Sequence, residues 1–225
     1  MTEKRIIVAI DGPAGAGKST LAKRIANKLG FLYIDTGAMY RALALWALRL
    51  NVAMSDMHRL EKLASEAQIE LDANNGNITL NGEDVTAAIR DTKVSEAASK
   101  ISAVPGVRRA LVRIQRGMAQ DNSVVMEGRD IGSIVFPRAQ VKIFLDADPR
   151  ERARRRANER GANLNQVASE ISERDRRDKE RAEAPLVQAP DAQFVDTTGL
   201  SIDEVEEVIL RLVRARVSNG KAAVG

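Results

Sequence analysis

A glycine-rich loop near the start of the chain constrains the fold more than any other feature. Residues 12–19 read GPAGAGKS, match the pattern G-x-x-x-x-G-K-[ST], and follow the short apolar run at residues 6–10. Helix-forming residues 21–29 come next, so a buried strand leads through a glycine-rich turn into a helix. In that context the backbone N–H groups of the turn surround a phosphate at a helix N-terminus. The chain is therefore expected to bind a nucleoside triphosphate.

The residues of this loop have different chemical tasks. Lys18 is expected to reach the β- and γ-phosphates of the nucleotide. The Ser19 hydroxyl is expected to ligate Mg²⁺, partly through water. The other candidates for nucleotide contacts in the loop are Gly12, Pro13, Ala14, Gly15, Ala16, Gly17 and Thr20.

Composition limits the class of protein. The 225 residues are 44% hydrophobic and 29% charged, which is typical of a globular protein large enough to bury a substantial core. The absence of cysteine excludes disulfides, thiolate metal sites and thiol catalysis. Apolar runs are too short to span a bilayer, and no secretory signal precedes the first strand. We therefore expect a cytoplasmic protein with no membrane partner.

Strand-like and helix-like segments alternate along the chain. Besides the first strand, short apolar runs predict four more strands, at residues 31–34, 124–126, 141–145 and 194–196. Alternation with helices predicts an α/β fold with a doubly wound, mostly parallel five-stranded sheet. In such sheets ligands bind at the carboxyl ends of the strands. Four acidic residues stand at those predicted ends: Asp11, Asp35, Glu127 and Asp146.

Glu127 has two interpretations. As a carboxylate directly after an apolar run, it either lies near the metal of the nucleotide or only orders neighbouring loops.

A different pattern interrupts the alternation at residues 68–90, where period-two spacing at 69–72 and 78–80 surrounds the turn signals at 74–77. This pattern predicts a small antiparallel insertion.

Helix boundaries carry their own signals. Asp148-Pro149 followed by Glu151, and Ser201 followed by Glu204, are typical of helix starts. Pro105-Gly106 is expected to separate two helices, at residues 93–101 and 107–120. The last helix is expected to end near Val217.

Arginine is concentrated at residues 150–156 and 174–181. Such runs suit a solvated helix face with i,i+4 ion pairs, a nucleic-acid-binding surface, or a cluster that gathers around mobile phosphates. Composition alone favours the first interpretation.

Several segments together resemble bacterial-type cytidylate kinases, which are P-loop nucleoside monophosphate kinases. The resemblance runs from about residue 6 to residue 217, and it is most specific in the GRDIG and RDxRDxxR motifs. It implies reversible transfer of phosphate from ATP to CMP, and to dCMP, with Mg²⁺. The matching segments are residues 12–20, 35–41, 127–137 (EGRDIGSIVFP), 142–146 (KIFLD) and 173–186 (ERDRRDKERAEAPL).

The resemblance also implies a division into CORE, NMP-binding and LID regions. The expected CORE segments are residues 1–36, 106–148 and 182–217. The NMP-binding region is expected at 37–105, with the insertion inside it. The LID and the substrate arginines are expected at 149–181, and residues 218–225 are expected to form a flexible tail.

Site residues follow from the matching positions. Arg41, Arg129 and Arg181 would hold the CMP phosphate, and Arg174 would lie near the transferring group. The expected catalytic set is Lys18, Arg129, Arg174 and Arg181. Asp178 would accept hydrogen bonds from the ribose hydroxyls, and Thr36 would also bind the substrate. Ser99, Arg108 and Asp130 would contact the cytosine. Arg155 and Arg156 are expected to close over ATP.

The base assignment is chemically reasonable. A carboxylate that accepts from cytosine N4, with an arginine that donates to N3 or O2, matches cytosine and mismatches uracil. Because an unpaired buried polar group costs about 1–3 kcal/mol, we expect CMP to be preferred over UMP.

Other functions remain as alternatives. A kinase for AMP, UMP or a sugar acid would share Lys18 but not the two specific motifs. A GTPase would need an N-K-x-D motif, and residues 27–30 read NKLG. A nucleic-acid-binding ATPase is disfavoured because acidic residues interrupt the arginine runs and aromatic residues are only 3% of the chain. No nucleic-acid partner is expected, and a monomer is the default.

Overall fold

Five strands form the central sheet: β1 (Ile7–Asp11), β2 (Leu32–Asp35), β6 (Val124–Gly128), β7 (Val141–Asp146) and β8 (Gln193–Asp196). Their order in the sheet is β2-β6-β1-β7-β8. The strand in the middle, β1, pairs in parallel with both neighbours, and its residues Val8, Ala9 and Ile10 are completely buried. The pairing of β7 with β8 is also parallel. The predicted α/β fold with a parallel five-stranded sheet is confirmed.

The computed structural model describes residues 5–72 and 76–222, the last six of them by backbone only. The chain divides into two compact units. The first comprises Met1–Tyr33 and Asp121–Gly225, and the second comprises Ile34–Gln120. The second unit therefore includes residues 106–118, which the expected boundaries assign to CORE. In the part of the chain that the structure describes, no helix combines the length and apolar character of a membrane span.

The helices of the first unit carry the candidate loop and the arginine runs. They are α1 (Lys18–Leu29), α6 (Pro149–Arg160), α7 (Leu164–Glu180) and α8 (Ile202–Ala222). The predicted helix starts are confirmed, since Asp148 accepts from the backbone of Arg150 and Ser201 exchanges hydrogen bonds with Glu204. Helix α8 extends past the predicted end at Val217 into the expected tail, and residues 223–225 lie outside the described part.

The second unit combines four helices with a small sheet. The helices are α2 (Thr36–Arg49), α3 (Met57–Glu66), α4 (Thr92–Ile101) and α5 (Pro105–Met118). The predicted antiparallel insertion is confirmed by the strands β3 (Ile69–Leu71), β4 (Ile78–Leu80) and β5 (Glu83–Asp84). Residues 74 and 75 of the predicted turn lie outside the described residues.

Pro105 and Gly106 were expected to separate two helices, and this expectation is wrong in detail. Both residues belong to the first turn of α5, where proline is tolerated because its missing N–H would have no partner within the helix. The Gly106 N–H donates to Glu61 Oε1 at 2.8 Å, and a Cβ at this glycine would lie 2.2 Å from the same carboxyl group. The dipeptide therefore begins a helix that a carboxylate caps.

Candidate active site

The glycines of the loop are required by its backbone. Gly12, Gly15 and Gly17 have φ angles of 146°, 78° and 89°, in the region that favours glycine. A Cβ at Gly12 would lie 1.9 Å from the carbonyl oxygen of Leu145 on β7. Helix α1 begins directly after Gly17, at Lys18. Apart from the N–H of Ala14, which donates to Asp175 Oδ1, the backbone N–H groups of the loop and of the helix N-terminus can thus serve an anion.

Lys18 lies inside this loop. Its side chain is buried, and Nζ donates to the carbonyl oxygen of Pro13 at 2.6 Å. Burial is the main cause that lowers the pKa of Lys18 to about 7, and the positive charge of Arg129 lowers it further, whereas Glu127 opposes the shift. An anion bound in the loop would therefore stabilise the charged form of Lys18.

Glu127 connects two elements at the carboxyl ends of the strands. Its Oε2 accepts from Ser19 Oγ at 3.0 Å, and its Oε1 accepts from the hydroxyl of Tyr33 at 2.6 Å. A serine hydroxyl that donates its proton to a carboxylate keeps its lone pairs for a cation. Within residues 5–72 and 76–222, no group of three or more His, Cys, Asp or Glu residues could hold a metal ion. Tyr33 was missed from the sequence, where it is one residue of a predicted strand.

Asp11 fixes the turn that carries the GRDIG motif. Its carboxylate accepts from the backbone N–H groups of Ile131 and Gly132, at 2.8 and 2.7 Å. These residues begin a π-helical turn, Ile131–Val135, immediately after Arg129 and Asp130. Burial raises the pKa of Asp11 to about 6, although the two N–H groups oppose this shift. The carboxylate therefore ties the end of β1 to the turn that follows β6.

A cavity of about 480 Å³ lies beside the loop in the first unit. Its floor is formed by Gly15–Leu21, and one wall is apolar, with Leu200, Ile202 and Val205. Two of these side chains are exposed, Leu200 at 39% and Ile202 at 45%. The cavity is large enough for a nucleoside next to a phosphate-binding loop.

Both predicted LID arginines line this cavity. Arg155 donates to Oγ1 and to the carbonyl oxygen of Thr197, at 2.9 and 2.7 Å. Arg156 donates to Glu159 at 2.8 Å. The α6 arginines thus lie along the same space as the loop, held by neighbouring side chains.

Three arginines surround Asp178. Arg129 Nε donates to its Oδ2 at 2.9 Å, Arg174 Nε lies 4.0 Å from Oδ2, and Arg181 Nη1 lies 4.0 Å from Oδ1. Burial would raise the pKa of Asp178, but the three guanidinium charges outweigh it and hold that pKa below its usual value. We call these four residues the arginine cluster.

Asp130 lies at the edge of this cluster. It is buried, and its Oδ1 is 3.6 Å from Nη2 of Arg181. The guanidinium of Arg181 also donates from Nε to the carbonyl oxygen of Ala184. All five first-unit residues predicted to bind the acceptor are therefore neighbours: Arg129, Asp130, Arg174, Asp178 and Arg181.

In the second unit, Arg41 is held by the end of β2. Its Nη2 donates to Asp35 Oδ2 at 2.9 Å, while Oδ1 of the same carboxylate accepts from the N–H of Ala38. Asp35 is thus the N-cap of α2, and Thr36 is the buried first residue of that helix. The ion pair with Asp35 thus holds the guanidinium of Arg41 at the start of α2.

The second unit also contains two of the three residues predicted to read the base, Ser99 and Arg108. Arg108 on α5 donates to the carbonyl oxygen of Ser102 at 3.2 Å, and its guanidinium lies 5.9 Å from the ring centre of Tyr40. Ser99 is buried near the end of α4, and its Oγ has no hydrogen-bond partner among the described residues. A buried hydroxyl without a partner is unfavourable unless a ligand supplies one.

The arginine runs divide by burial. Exposed arginines form i,i+3 or i,i+4 pairs along one helix, as Arg154 does with Glu151 and Arg176 does with Glu173 and Glu180. Arg174 and Arg181 join the cluster around Asp178 instead. Ion pairs along a helix face are therefore present for part of the runs, and a cluster that gathers around phosphates stays a prediction.

A parallel sheet with a glycine-rich phosphate loop, a nucleoside-sized cavity beside it and an arginine cluster in the same unit define the class: a P-loop kinase. The family model for cytidylate kinase matches residues 8–215. A cytidylate kinase from Solibacter usitatus is 62% identical and aligns over 97% of both chains. One from Pelotomaculum thermopropionicum is 50% identical, over 95% of this chain and 96% of the relative. The chain therefore belongs to the cytidylate kinase family.

A more distant similarity concerns the fold alone. The solved structure of an uncharacterized protein from Eubacterium ventriosum is 12% identical, with a TM-score of 0.53, and covers 92% of this chain and 97% of its own. Together with family membership, the P-loop and the cavity make this chain a nucleotide-binding transferase of the nucleoside monophosphate kinase class.

Proposed function

We propose that this kinase transfers the γ-phosphoryl group of ATP to CMP, and also to dCMP, in a reversible reaction that uses Mg²⁺. Membership of the cytidylate kinase family supports CMP as the acceptor. The observation that carries the proposal is the pairing, in one unit, of a phosphate loop with a buried arginine cluster. A kinase that joins two anionic substrates needs both.

The donor would occupy the cavity beside the loop. Backbone N–H groups of the loop, with Lys18, would bind the triphosphate, and the apolar wall of Leu200, Ile202 and Val205 would bind the base. Arg155 and Arg156 would lie along the bound ATP. These assignments extend the predicted set, Gly12–Thr20 with the two arginines, to the whole nucleotide.

Mg²⁺ fits the residues at the end of β6. Ser19 would ligate the ion through its hydroxyl oxygen. Glu127 would accept a hydrogen bond from that hydroxyl and from water on the ion. The ion would neutralise charge that develops on the transferring phosphoryl group. Tyr33 would keep the Glu127 carboxylate in place through its hydrogen bond.

Each unit carries residues predicted to bind the acceptor. In the first unit, Arg129, Arg174 and Arg181 would hold or approach its phosphate, and in the second unit Arg41 has the same predicted role. Asp178 would accept from the ribose hydroxyls. Thr36, Ser99, Arg108 and Asp130 would complete the substrate contacts, and the unpartnered hydroxyl of Ser99 supports this role.

The reaction needs positioning more than proton transfer. An oxygen of the CMP phosphate is already anionic, so it attacks the γ-phosphorus without a general base. The bond from the γ-phosphorus to the bridging oxygen breaks, and ADP takes the electron pair. Charge spreads over the equatorial oxygens of the transferring group, where lysine and arginine side chains stabilise it.

The test is ADP formation from ATP and Mg²⁺ with CMP, dCMP, UMP, AMP or GMP as acceptor. We expect turnover with CMP and dCMP, a lower kcat/KM with UMP, and little ADP without acceptor. An equal or higher kcat/KM with UMP would contradict the proposed base readout. A monomeric state, the absence of a nucleic-acid partner and a cytoplasmic location stay predictions.

A further inference from the structure

Both backbone hydrogen-bonding groups of Ala14, in the phosphate-binding loop, are occupied by charged side chains. The N–H of Ala14 donates to Asp175 Oδ1 at 3.3 Å, and its carbonyl oxygen accepts from Arg152 Nη1 at 3.0 Å. Arg152 and Asp175 are themselves joined by a bond of 2.5 Å from Nη1 to Oδ2. The three residues therefore form a closed ring of hydrogen bonds, and no predicted function uses its two charged members.

The ring connects the loop to two helices. Arg152 belongs to α6 and Asp175 to α7, and only 6% and 7% of their surfaces are exposed. Arg152 is held further by its Nε, which donates to the carbonyl oxygen of Ala147 at 3.0 Å. A guanidinium group can satisfy these acceptors at once because its donors have a fixed planar arrangement.

Packing reinforces the link at the same point. A Cβ on Gly15 would lie 2.8 Å from the backbone oxygen of Arg152, so the loop approaches α6 at the limit of close packing. The Ala14 side chain also belongs to a small apolar cluster formed with α6 and α7. The other members of this cluster are Ala153, Ala157, Val167 and Ile171.

The same helices carry arginines assigned to both substrates. Arg155 and Arg156 on α6 line the cavity beside the loop, and Arg174 on α7 belongs to the arginine cluster. We propose that Arg152 and Asp175 are positioning residues for phosphoryl transfer, which fix the loop relative to the arginines of α6 and α7. The inference rests on the proposed function, because the geometry that it concerns is the one needed for transfer.

A role in stability alone does not account for the ring. Buried ion pairs contribute little net stability, and apolar pairs of similar volume often replace them without loss. Here the pair uses its remaining hydrogen-bonding capacity on the backbone of the nucleotide loop. Stability and catalysis should therefore respond differently when the pair is replaced.

The decisive variant is the double replacement Arg152→Met with Asp175→Leu, compared with Arg152→Lys and with a control. The control is Glu170→Gln, because Glu170 joins α6 to α7 through Arg160 at 2.8 Å without contacting the loop. Each protein is assayed with ATP and CMP, its thermal unfolding is followed by circular dichroism, and its affinities for ADP and for CMP are measured by calorimetry.

We expect the double variant to fold with a lower melting temperature, because the backbone groups of Ala14 and Ala147 lose their partners, and kcat to fall by about tenfold to a hundredfold. ADP affinity should fall, and CMP affinity should change by less than about threefold. Arg152→Lys should lower kcat in the same direction, since one ammonium group cannot serve all three acceptors. Glu170→Gln should leave kcat within about twofold of the wild type.

A double variant that is folded and keeps wild-type kcat and ADP affinity would overturn the proposal. So would a control variant with an equal loss. If the double variant does not fold, Arg152→Lys decides by the same criteria. A wild-type protein that does not phosphorylate CMP refutes the proposed function instead, and the ADP affinities of the variants still test whether the pair positions the loop.

Discussion

The phosphate loop and the arginine cluster are the two regions of one unit that we propose to bind anions, and they are built in different ways. The loop relies on backbone N–H groups and on Lys18, whose pKa is lowered to about 7, mainly by burial. The cluster relies on three guanidinium groups that stay charged, around Asp178, whose pKa they lower despite its burial. Burial of Lys18 therefore limits the positive charge of the loop, whereas in the cluster the carboxylate of Asp178 offsets the charge of the arginines.

This difference would suit the two proposed substrates. A loop formed by backbone groups has one shape, so it would bind the same triphosphate at the same place. In the cluster, an incoming phosphate would compete with Asp178 for the arginines and exchange one anionic partner for another. Loss of a cluster arginine should then affect the acceptor and the transfer step but spare the donor.

The largest expected effect comes from Arg181→Ala. The loss of a guanidinium that holds the acceptor phosphate should lower kcat by about a thousandfold or more, with ADP affinity nearly unchanged. Steady-state kinetics and calorimetry measure the two quantities. Arg177→Ala is the matched control, because Arg177 lies in the last turn of α7, which Arg181 directly follows, but pairs with Glu173 outside the cluster. An Arg181→Ala enzyme with full activity would exclude the assigned role.

Asp130→Asn should have a smaller effect, on base choice. An amide can present its NH₂ group to uracil O4, so the preference for CMP over UMP should weaken by about tenfold to a hundredfold. The measurement is the ratio of kcat/KM values for the two acceptors. A preserved ratio, with kcat reduced for both, would instead assign Asp130 to the placement of Arg181, 3.6 Å away.

Tyr33→Phe tests the donor side. Without the hydroxyl of this tyrosine, Glu127 loses the hydrogen bond to its Oε1, so the Mg²⁺ concentration for half-maximal activity should rise by about tenfold. Titration of activity with Mg²⁺ at saturating ATP and CMP measures this. Tyr40→Phe is the control, since the other tyrosine lies beside Arg108. An equal shift in both variants would show that the Tyr33 hydroxyl has no specific role in Mg²⁺ binding.

The sequence was sufficient for the elements and for the loop, because both depend on local signals. Short apolar runs predicted all five strands of the main sheet, and the Asp148 and Ser201 caps predicted helix starts. The neighbourhood of Arg129, Arg174, Asp178 and Arg181 followed from the resemblance to a family rather than from the spacing of the residues.

The remaining features depend on tertiary contacts that spacing does not reveal. Arg152 is one arginine among several in a run, and only its position in the fold distinguishes a buried residue that binds the loop from the exposed Arg154. Tyr33 resembles any aromatic residue of a strand until Glu127 is placed opposite its hydroxyl. Pro105 gives the same signal whether it separates two helices or begins the second.

The smallest expected effect is a fraction of a proton, and it tests the loop most directly. With a pKa of about 7, Lys18 is partly uncharged in the free protein near neutral pH. A bound polyphosphate favours the charged ammonium and raises this pKa, so ADP binding should take up protons. The uptake should grow from pH 6, where Lys18 is already protonated, toward pH 8. Calorimetry in buffers of different ionisation enthalpy measures it, and Lys18→Arg, which stays charged, should remove that part of it. Unchanged uptake in Lys18→Arg would assign the protons to the nucleotide and leave Lys18 charged throughout, which would remove the contrast between the loop and the arginine cluster.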